Sequence, residues 1–384
     1  MRHTLWISAG FALLVAGCGS ETPQDSDDAD LTISMDPPAQ GYQLVTEPYE
    51  VPAFTEVDIC SVVHLQPKGD EQLVWVDHME SLTSSGTHHM NVVLGQFSFL
   101  DGFLGEGAAA DALGTSASQL PCSELSSMEL GFPVFPSQRE NQEITFPEGV
   151  AVPMTAPLTL VFSHHYVNTR DTPVIINAAL NLSTVPAEEV EEVGSLIFSD
   201  IGDLEVAPQT RRTEARTCVV ERDVEVVLVS THSHEWATCA TMNHYDGASG
   251  AVEAESFYVN KQWDQPPILH FEPETFSLSA GDGIHWACHY ENDTEGALVN
   301  DGTAAGEMCV LAAVTWPAPL SVAKIEQVVA EGDLAVMVSL LGDFFGPCDS
   351  VRDDVPGPWP TGDAALDGEA ACADFTQTES NTLE

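Results

Sequence analysis

Basic side chains are scarce: 11 Lys and Arg stand against 60 Asp and Glu, for a formal net charge of −49. That shortage excludes a nucleic-acid partner, because phosphate binding draws on Lys and Arg. It leaves a self-repelling, solvated surface with no basic patch for an anionic membrane. No Cys-x-x-Cys pair occurs, so neither a zinc ribbon nor a thioredoxin-like redox site is supported. The apolar stretch from Leu5 to Val15 is too short for a stable membrane span. Helix signals are sparse. Ala187 to Val193 reads as a short acidic linker, and Ser321 to Leu341 could hold a helix but for Gly332-Asp333. No repeat at solenoid spacing is evident, and the two histidine-bearing halves show no obvious similarity.

What the chain does have begins at its N-terminus. Met1-Arg2-His3 is a short basic start, and the apolar stretch runs into Leu14-Val15-Ala16-Gly17-Cys18. This resembles the bacterial lipobox, which implies cleavage before Cys18, lipidation of its sulfur and export. Gly19-Ser20 places no acidic residue after the cysteine, which resembles outer-membrane sorting in a Gram-negative bacterium. The only membrane contact expected is that lipid. Residues 19–45, rich in Asp, Pro, Ser and Gln, read as a flexible tether.

Setting Cys18 aside leaves eight cysteines, an even number that points to disulfides in an exported chain. Short runs rich in Val, Ile, Phe and Thr, such as Asp58 to Leu65, Leu158 to Phe162, Val224 to Val229 and Ile284 to Tyr290, alternate with Gly, Pro, Asn and Asp turns. The expected fold is all-β: two consecutive antiparallel β-sandwich (jelly-roll-like) domains. About 340 residues follow the tether, more than one core usually serves. The domains are placed at 46–190 and 191–350, with a weakly ordered acidic tail over 351–384.

Chemistry concentrates in the histidines. In Thr231-His232-Ser233-His234 the two imidazoles lie two apart and share a strand face. Met308, in Gly306-Glu307-Met308-Cys309, would add a thioether. Cys288 lies on a strand that could pair with this one, and a Cys288–Cys309 bridge would pin Met308 at the metal. Two nitrogens and a thioether suit copper, Cu(I) above all, better than zinc, magnesium or calcium. Glu235 leaves a zinc-hydrolase alternative open, with a carboxylate completing the pair. A second group lies at Thr87-His88-His89-Met90 and Ser163-His164-His165-Tyr166.

The order His232-Ser233-His234, then Gly281-Asp282-Gly283-Ile284-His285-Trp286-Ala287-Cys288, then Gly306-Glu307-Met308-Cys309 resembles the type II, ascorbate-dependent copper monooxygenases. That family includes peptidylglycine α-hydroxylating monooxygenase and dopamine β-monooxygenase. Gly86-Thr87-His88-His89-Met90 and the strand Leu158 to Tyr166 are similar to its first-domain motifs. The resemblance extends, with gaps, from about Glu56 to Trp316.

It implies two coppers per chain. His232, His234 and Met308 would be the catalytic set, where dioxygen is activated, and His88, His89 and His165 would hold an electron-transfer copper. It implies a Cys60–Cys122 disulfide and places Cys218 at a family position, with Cys348 as the nearest guess for its partner. Cys239 and Cys372 have no counterpart. The implied activity is hydroxylation of a C–H bond of a small-molecule substrate by O2, with an external one-electron reductant such as ascorbate. A non-catalytic copper-binding surface lipoprotein is the alternative.

Three positions depart from the peptide hydroxylases. Ser230 stands where they carry a substrate-clamping arginine, Ala312 where they carry a tyrosine and Val310 where they carry an asparagine. Peptide amidation is therefore disfavoured. Adjacent histidines on a regular strand point to opposite faces, so ligation by both His88 and His89 rests on the resemblance. His285 and His289 are candidates for supporting positions around the site. His64, His78, His244 and His270 read as structural or surface groups.

Overall fold

The computed structural model describes residues 30–65, 68–69, 72–94, 119–122, 132–155, 158–301, 306–332, 348–358 and 364–365. Cys18 and Cys372 lie outside them.

The first half contains β1 (Gly41–Val45), β2 (Tyr49–Val51), β3 (Thr55–Leu65), β4 (Leu73–Thr83), β5 (Thr87–Leu94) and β6 (Gln119–Pro121). It continues with β7 (Phe132–Ser137), β8 (Asn141–Thr145), β9 (Val150–Thr155), β10 (Leu158–Asn168), β11 (Val174–Ile176) and β12 (Ala178–Val185). A single 3-10 turn, Ala187–Glu189, and β13 (Glu192–Val193) lead onward. The second half holds β14 (Ser195–Asp200), β15 (Glu205–Val206), β16 (Thr210–Val219), β17 (Val224–His232), β18 (Ala237–Asp246) and β19 (Ala251–Asn260). Then come β20 (Leu269–His270), β21 (Ser277–Leu278), β22 (Gly283–Asn292), β23 (Leu298–Val299) and β24 (Val310–Trp316). Helix α1 (Val322–Glu331), β25 (Ser350–Arg352) and β26 (Ala364–Ala365) follow.

The chain is all-β, and each half is a pair of sheets facing across an apolar core. In the first half β1-β12-β4-β9 faces β6-β3-β10-β5-β7. Leu180, Leu182, Met79 and Val76 from one sheet meet Leu160, Phe162, Met90 and Val92 from the other. In the second half β14-β24-β17-β20 faces β25-β16-β22-β18-β19. Val229, Leu311 and Ala313 there meet Ile284, Trp286 and Cys288. Period-two alternation explains both cores: Leu160 and Phe162, or Ile284 and Trp286, point inward.

The two sheet orders are the same. Strands β1, β12, β4, β3, β10, β5 and β7 have β14, β24, β17, β16, β22, β18 and β19 as counterparts, and the small pair β11-β2 answers to β23-β15. Details repeat with the topology. Asn168 and Asn292 close the equivalent strands, and each amide donates to three carbonyls: those of Val51, Pro52 and Thr172, and those of Val206, Ala207 and Gly296. Opposite them, the residue before each partner strand has a positive φ, 51° at Phe54 and 56° at Gln209. The halves therefore repeat one strand order, although their sequences show no obvious similarity. The repeat is carried by strand order and strand-end bonding rather than by runs of identical residues.

Two expectations change. Within the presumed tether, residues from 30 onward pack on the first sandwich. The Asn177 side chain accepts from the Ile33 amide, Asn181 donates to the Asp36 carbonyl, and β1 pairs with β12. Within the presumed loose tail, β25 and β26 pair with β16, because that sheet edge offers unpaired backbone groups. Helix α1 ends at Gly332, whose φ of 64° is the left-handed cap that glycine accepts readily. Its Ile325 and Val328 join the first core, as do Leu196, Leu228 and Val314 of the second half, so the sandwiches share an apolar seam.

Disulfides join Cys60 to Cys122, Cys218 to Cys348 and Cys288 to Cys309, and Cys239 is disulfide-bonded as well. The Cys288–Cys309 bond closes 21 residues between β22 and the start of β24. Replacing both cysteines with alanine is expected to lower the unfolding free energy by roughly 3 kcal/mol through loop-closure entropy. Urea denaturation reads this directly, and an unchanged midpoint would show that β24 is held without the bond.

Candidate metal centre

Strand β5 begins just after the turn at Gly86, whose φ is 88° and where a Cβ would meet the Tyr166 hydroxyl at 2.9 Å. Its pairing with β10 slips at once: Tyr166 faces Thr87 and His165 faces His89, so His88 is an extra residue in the ladder. Such a bulge turns a side chain off its regular face. This is why adjacent histidines converge here although strand periodicity separates them. One ring nitrogen from each of His88, His89 and His165 lies within 4.8 Å of those of the other two, close enough for one metal ion. In the second half, His232 ends β17 and His234 sits in the turn that follows, their ring centroids 5.1 Å apart.

Hydrogen bonds fix which nitrogen each ring presents. His165 Nε2 lies 2.7 Å from a Glu56 carboxylate oxygen and His234 Nδ1 lies 2.9 Å from the Gly306 carbonyl. Both partners can only accept, so these nitrogens carry the protons, and a neutral ring then bears its lone pair on the other nitrogen. Those other nitrogens, His165 Nδ1 and His234 Nε2, are buried with no partner, and so is His89 Nδ1. Burial first, and then the neighbouring rings, push His89 and His232 well below the usual imidazole range and His88 down to about 4. Buried ring nitrogens left without a hydrogen-bond partner are otherwise costly, and are what a soft or borderline metal ion takes up. The donor set fits copper.

His164 is not part of this set, since its Nε2 hydrogen-bonds the Thr87 hydroxyl at 2.8 Å. His285 and His289 lie on β22 and hydrogen-bond Thr217 and Thr213, serving the second sandwich rather than the ring cluster. His78 bonds Thr145 and His244 bonds Glu253.

Met308 is half-buried and held through its backbone. Its carbonyl accepts from Tyr290 Oη at 2.8 Å, and Cys309 next door is tied to Cys288. Glu307, which the sequence reading passed over, organises this corner. It is fully buried, and its carboxylate accepts the amides of His234 (3.1 Å), Trp236 (2.9 Å) and Met308 (3.3 Å). One side chain thus binds the His234 turn to the Met308 loop. Burial lifts its pKa to about 7 against the lowering effect of those three bonds. Glu235, by contrast, is exposed. Glu56 and Trp263 were also missed, the latter edge-on to His88 with centroids 5.3 Å apart. No motif marks either, because both reach the histidines from distant strands and loops.

No family profile matches the chain, and no curated relative was found. Two solved structures show a faint likeness: the atomic structure of Sulfolobus Turreted Icosahedral Virus, and PBCV-1 VP54 fitted into a reconstruction of the virophage Sputnik. Each is 7% identical with a TM-score of 0.21 over 70% of this chain, spanning 59% of the first and 93% of the second. At that level the likeness carries no argument.

Proposed function

We propose that the chain is a copper-dependent monooxygenase of the type II, ascorbate-dependent kind, exported and lipid-anchored through Cys18. The observation that carries this reading is the set of buried, partnerless ring nitrogens on His89, His165 and His234, beside a loop that holds a methionine. When bound, copper supplies dioxygen activation and one-electron transfer. The balanced reaction takes a substrate C–H bond, O2, two electrons and two protons to the alcohol and water. His232, His234 and Met308 hold the oxygen-activating metal, and His88, His89 and His165 hold the electron-transfer metal. Glu56 and the Gly306 carbonyl keep two of the rings in the ligating tautomer.

The substrate is a small molecule other than a peptide acid. Ser230 pairs with Ala312 in register, and its hydroxyl is hydrogen-bonded to the Pro267 carbonyl. Around them lies an apolar seam cavity of about 30 Å³, lined also by Phe198, Leu228 and Ile268. Nothing cationic lines it among the described residues. The absence of such a recognition group also favours a second reading, a copper-binding surface lipoprotein without catalysis. A zinc hydrolase is disfavoured by the exposure of Glu235 and by the thioether.

Metal analysis of the chain beginning after Cys18 tests the reading. Wild type is expected to retain two coppers, and Met308→Ala to lose Cu(I) affinity about tenfold or more at one set only, as loss of a soft ligand requires. Reductant-driven oxygen uptake coupled to hydroxylated product separates the enzyme from the copper carrier. A single zinc indifferent to Met308 overturns both copper readings.

A further inference from the structure

We infer that the two ligand sets form one closely spaced dinuclear centre across the seam between the sandwiches, rather than two separate metal sites. The inference rests on the copper reading above and concerns the relation between its two sets. Within the first set the ring centroids are 4.8 to 5.0 Å apart, and within the second 5.1 Å. Across the sets, His89 and His232 are 5.2 Å apart and His88 and His234 are 6.2 Å apart. The shortest crossing distance, 5.2 Å, is only 0.1 to 0.4 Å longer than the spacings inside the sets, so no gap divides five rings drawn from both halves of the chain. With metal–nitrogen bonds of about 2 Å, these five rings would hold both ions within one cluster.

Bonds across the seam hold the arrangement shut. The segment from Lys261 to Ile268 belongs to the second half but is fastened to the first. Gln138 donates to the Trp263 carbonyl at 3.5 Å and Arg139 to the Pro266 carbonyl at 3.2 Å. Its other side is fastened at home, where Tyr258 and Ser230 both donate to the Pro267 carbonyl. Trp263 stands edge-on to His88 at the crossing. The strap therefore positions the two histidine sets against one another.

Electron paramagnetic resonance of the chain loaded with two Cu(II) tests this. Coupled ions are expected to give an integrated signal well below two spins, with a half-field transition, as neighbouring metals in one centre require. His234→Ala serves as the reference, expected to hold one copper with one full spin. Trp263→Ala combined with Arg139→Ala is expected to move the wild-type signal toward two isolated spins. Two coppers with two full, isolated spins in wild type overturn the dinuclear centre while leaving the copper reading intact. Failure to bind copper overturns both.

Discussion

The metal-free protein is expected to lose on the order of 5 kcal/mol of stability as the pH falls from 6.5 to about 4. Burial holds His164, His285 and His289 down to about 4, whereas in the unfolded chain they return to 6.5. Between those values the unfolded chain binds more protons, so protonation pulls the equilibrium toward it. Each fully buried ring contributes at most roughly 3 kcal/mol over that window. Glu307 acts with the opposite sign. Its pKa rises from 4.5 to about 7 on folding, so it favours the folded chain as the pH drops and offsets about one ring. Burial lifts Asp58 and Asp200 as well, which trims the total further. The histidines outnumber these groups, since His88, His89, His232 and His234 are lowered too. Urea midpoints measured across this range should fall steadily, and a flat profile would mean that the rings find proton-accepting partners on folding. Copper should raise the midpoint near neutrality, and its effect should vanish in acid as protons displace it.

The second large effect centres on Glu307. Glu307→Ala strips the acceptor from three amides in a fully buried corner, at roughly 1–3 kcal/mol per orphaned donor. A total stability loss of about 3–6 kcal/mol is expected. The consequence for metal binding should be selective. The His234 turn and the Met308 loop lose the side chain that joins them, while His88, His89 and His165 keep their strands and Glu56. Copper content should therefore drop from two toward one per chain, with the histidine-only set retained. Glu307→Gln keeps one acceptor oxygen but turns an amino group toward the same donors, so an intermediate loss is expected. Equal loss from both sets would show that the corner is not local and that the seam opens as a whole.

Much of this site was legible in the residues themselves. The spacing of His232 and His234, and the placement of Met308 beside a cysteine, are local signals, although His234 lies in the turn after β17 rather than on the shared strand face that periodicity supposes. The Cys60–Cys122 pairing came from the family resemblance and the Cys218–Cys348 pairing from a guess, and both bonds are present, whereas the spacing of eight cysteines alone leaves the connectivity open. What could not be read are features set by register and by tertiary approach. The slip that turns His88 beside His89 depends on how β5 pairs with β10, a relation between strands about seventy residues apart. Glu56 meets His165 only because β3 lies beside β10. Glu307 was quoted as part of a motif yet given no task, since its partners are backbone amides that leave no trace in sequence. The all-β character was plain from the runs of Val, Ile and Thr. The packing of residues 30–45 was not, because polar side chains such as Asn177 and Asn181 hold that segment in place of an apolar face.

The ladder slip at His88 recurs at the matching place in the second sandwich. There Tyr290 faces Ala237 and His289 faces Cys239, so Thr238 is the extra residue. The trio His88, His89 and His165 thus has a counterpart in Thr238, Cys239 and His289 on the same backbone frame. In one copy that frame gathers imidazoles, and in the other it carries a disulfide-bonded cysteine and a threonine whose hydroxyl donates to the His289 carbonyl. Histidine stands at the third position in both copies, so the difference lies at two positions, where Thr238 and Cys239 replace His88 and His89. The scaffold and the ligands are in this sense separable, and the second sandwich is a natural host into which such a trio could be grafted.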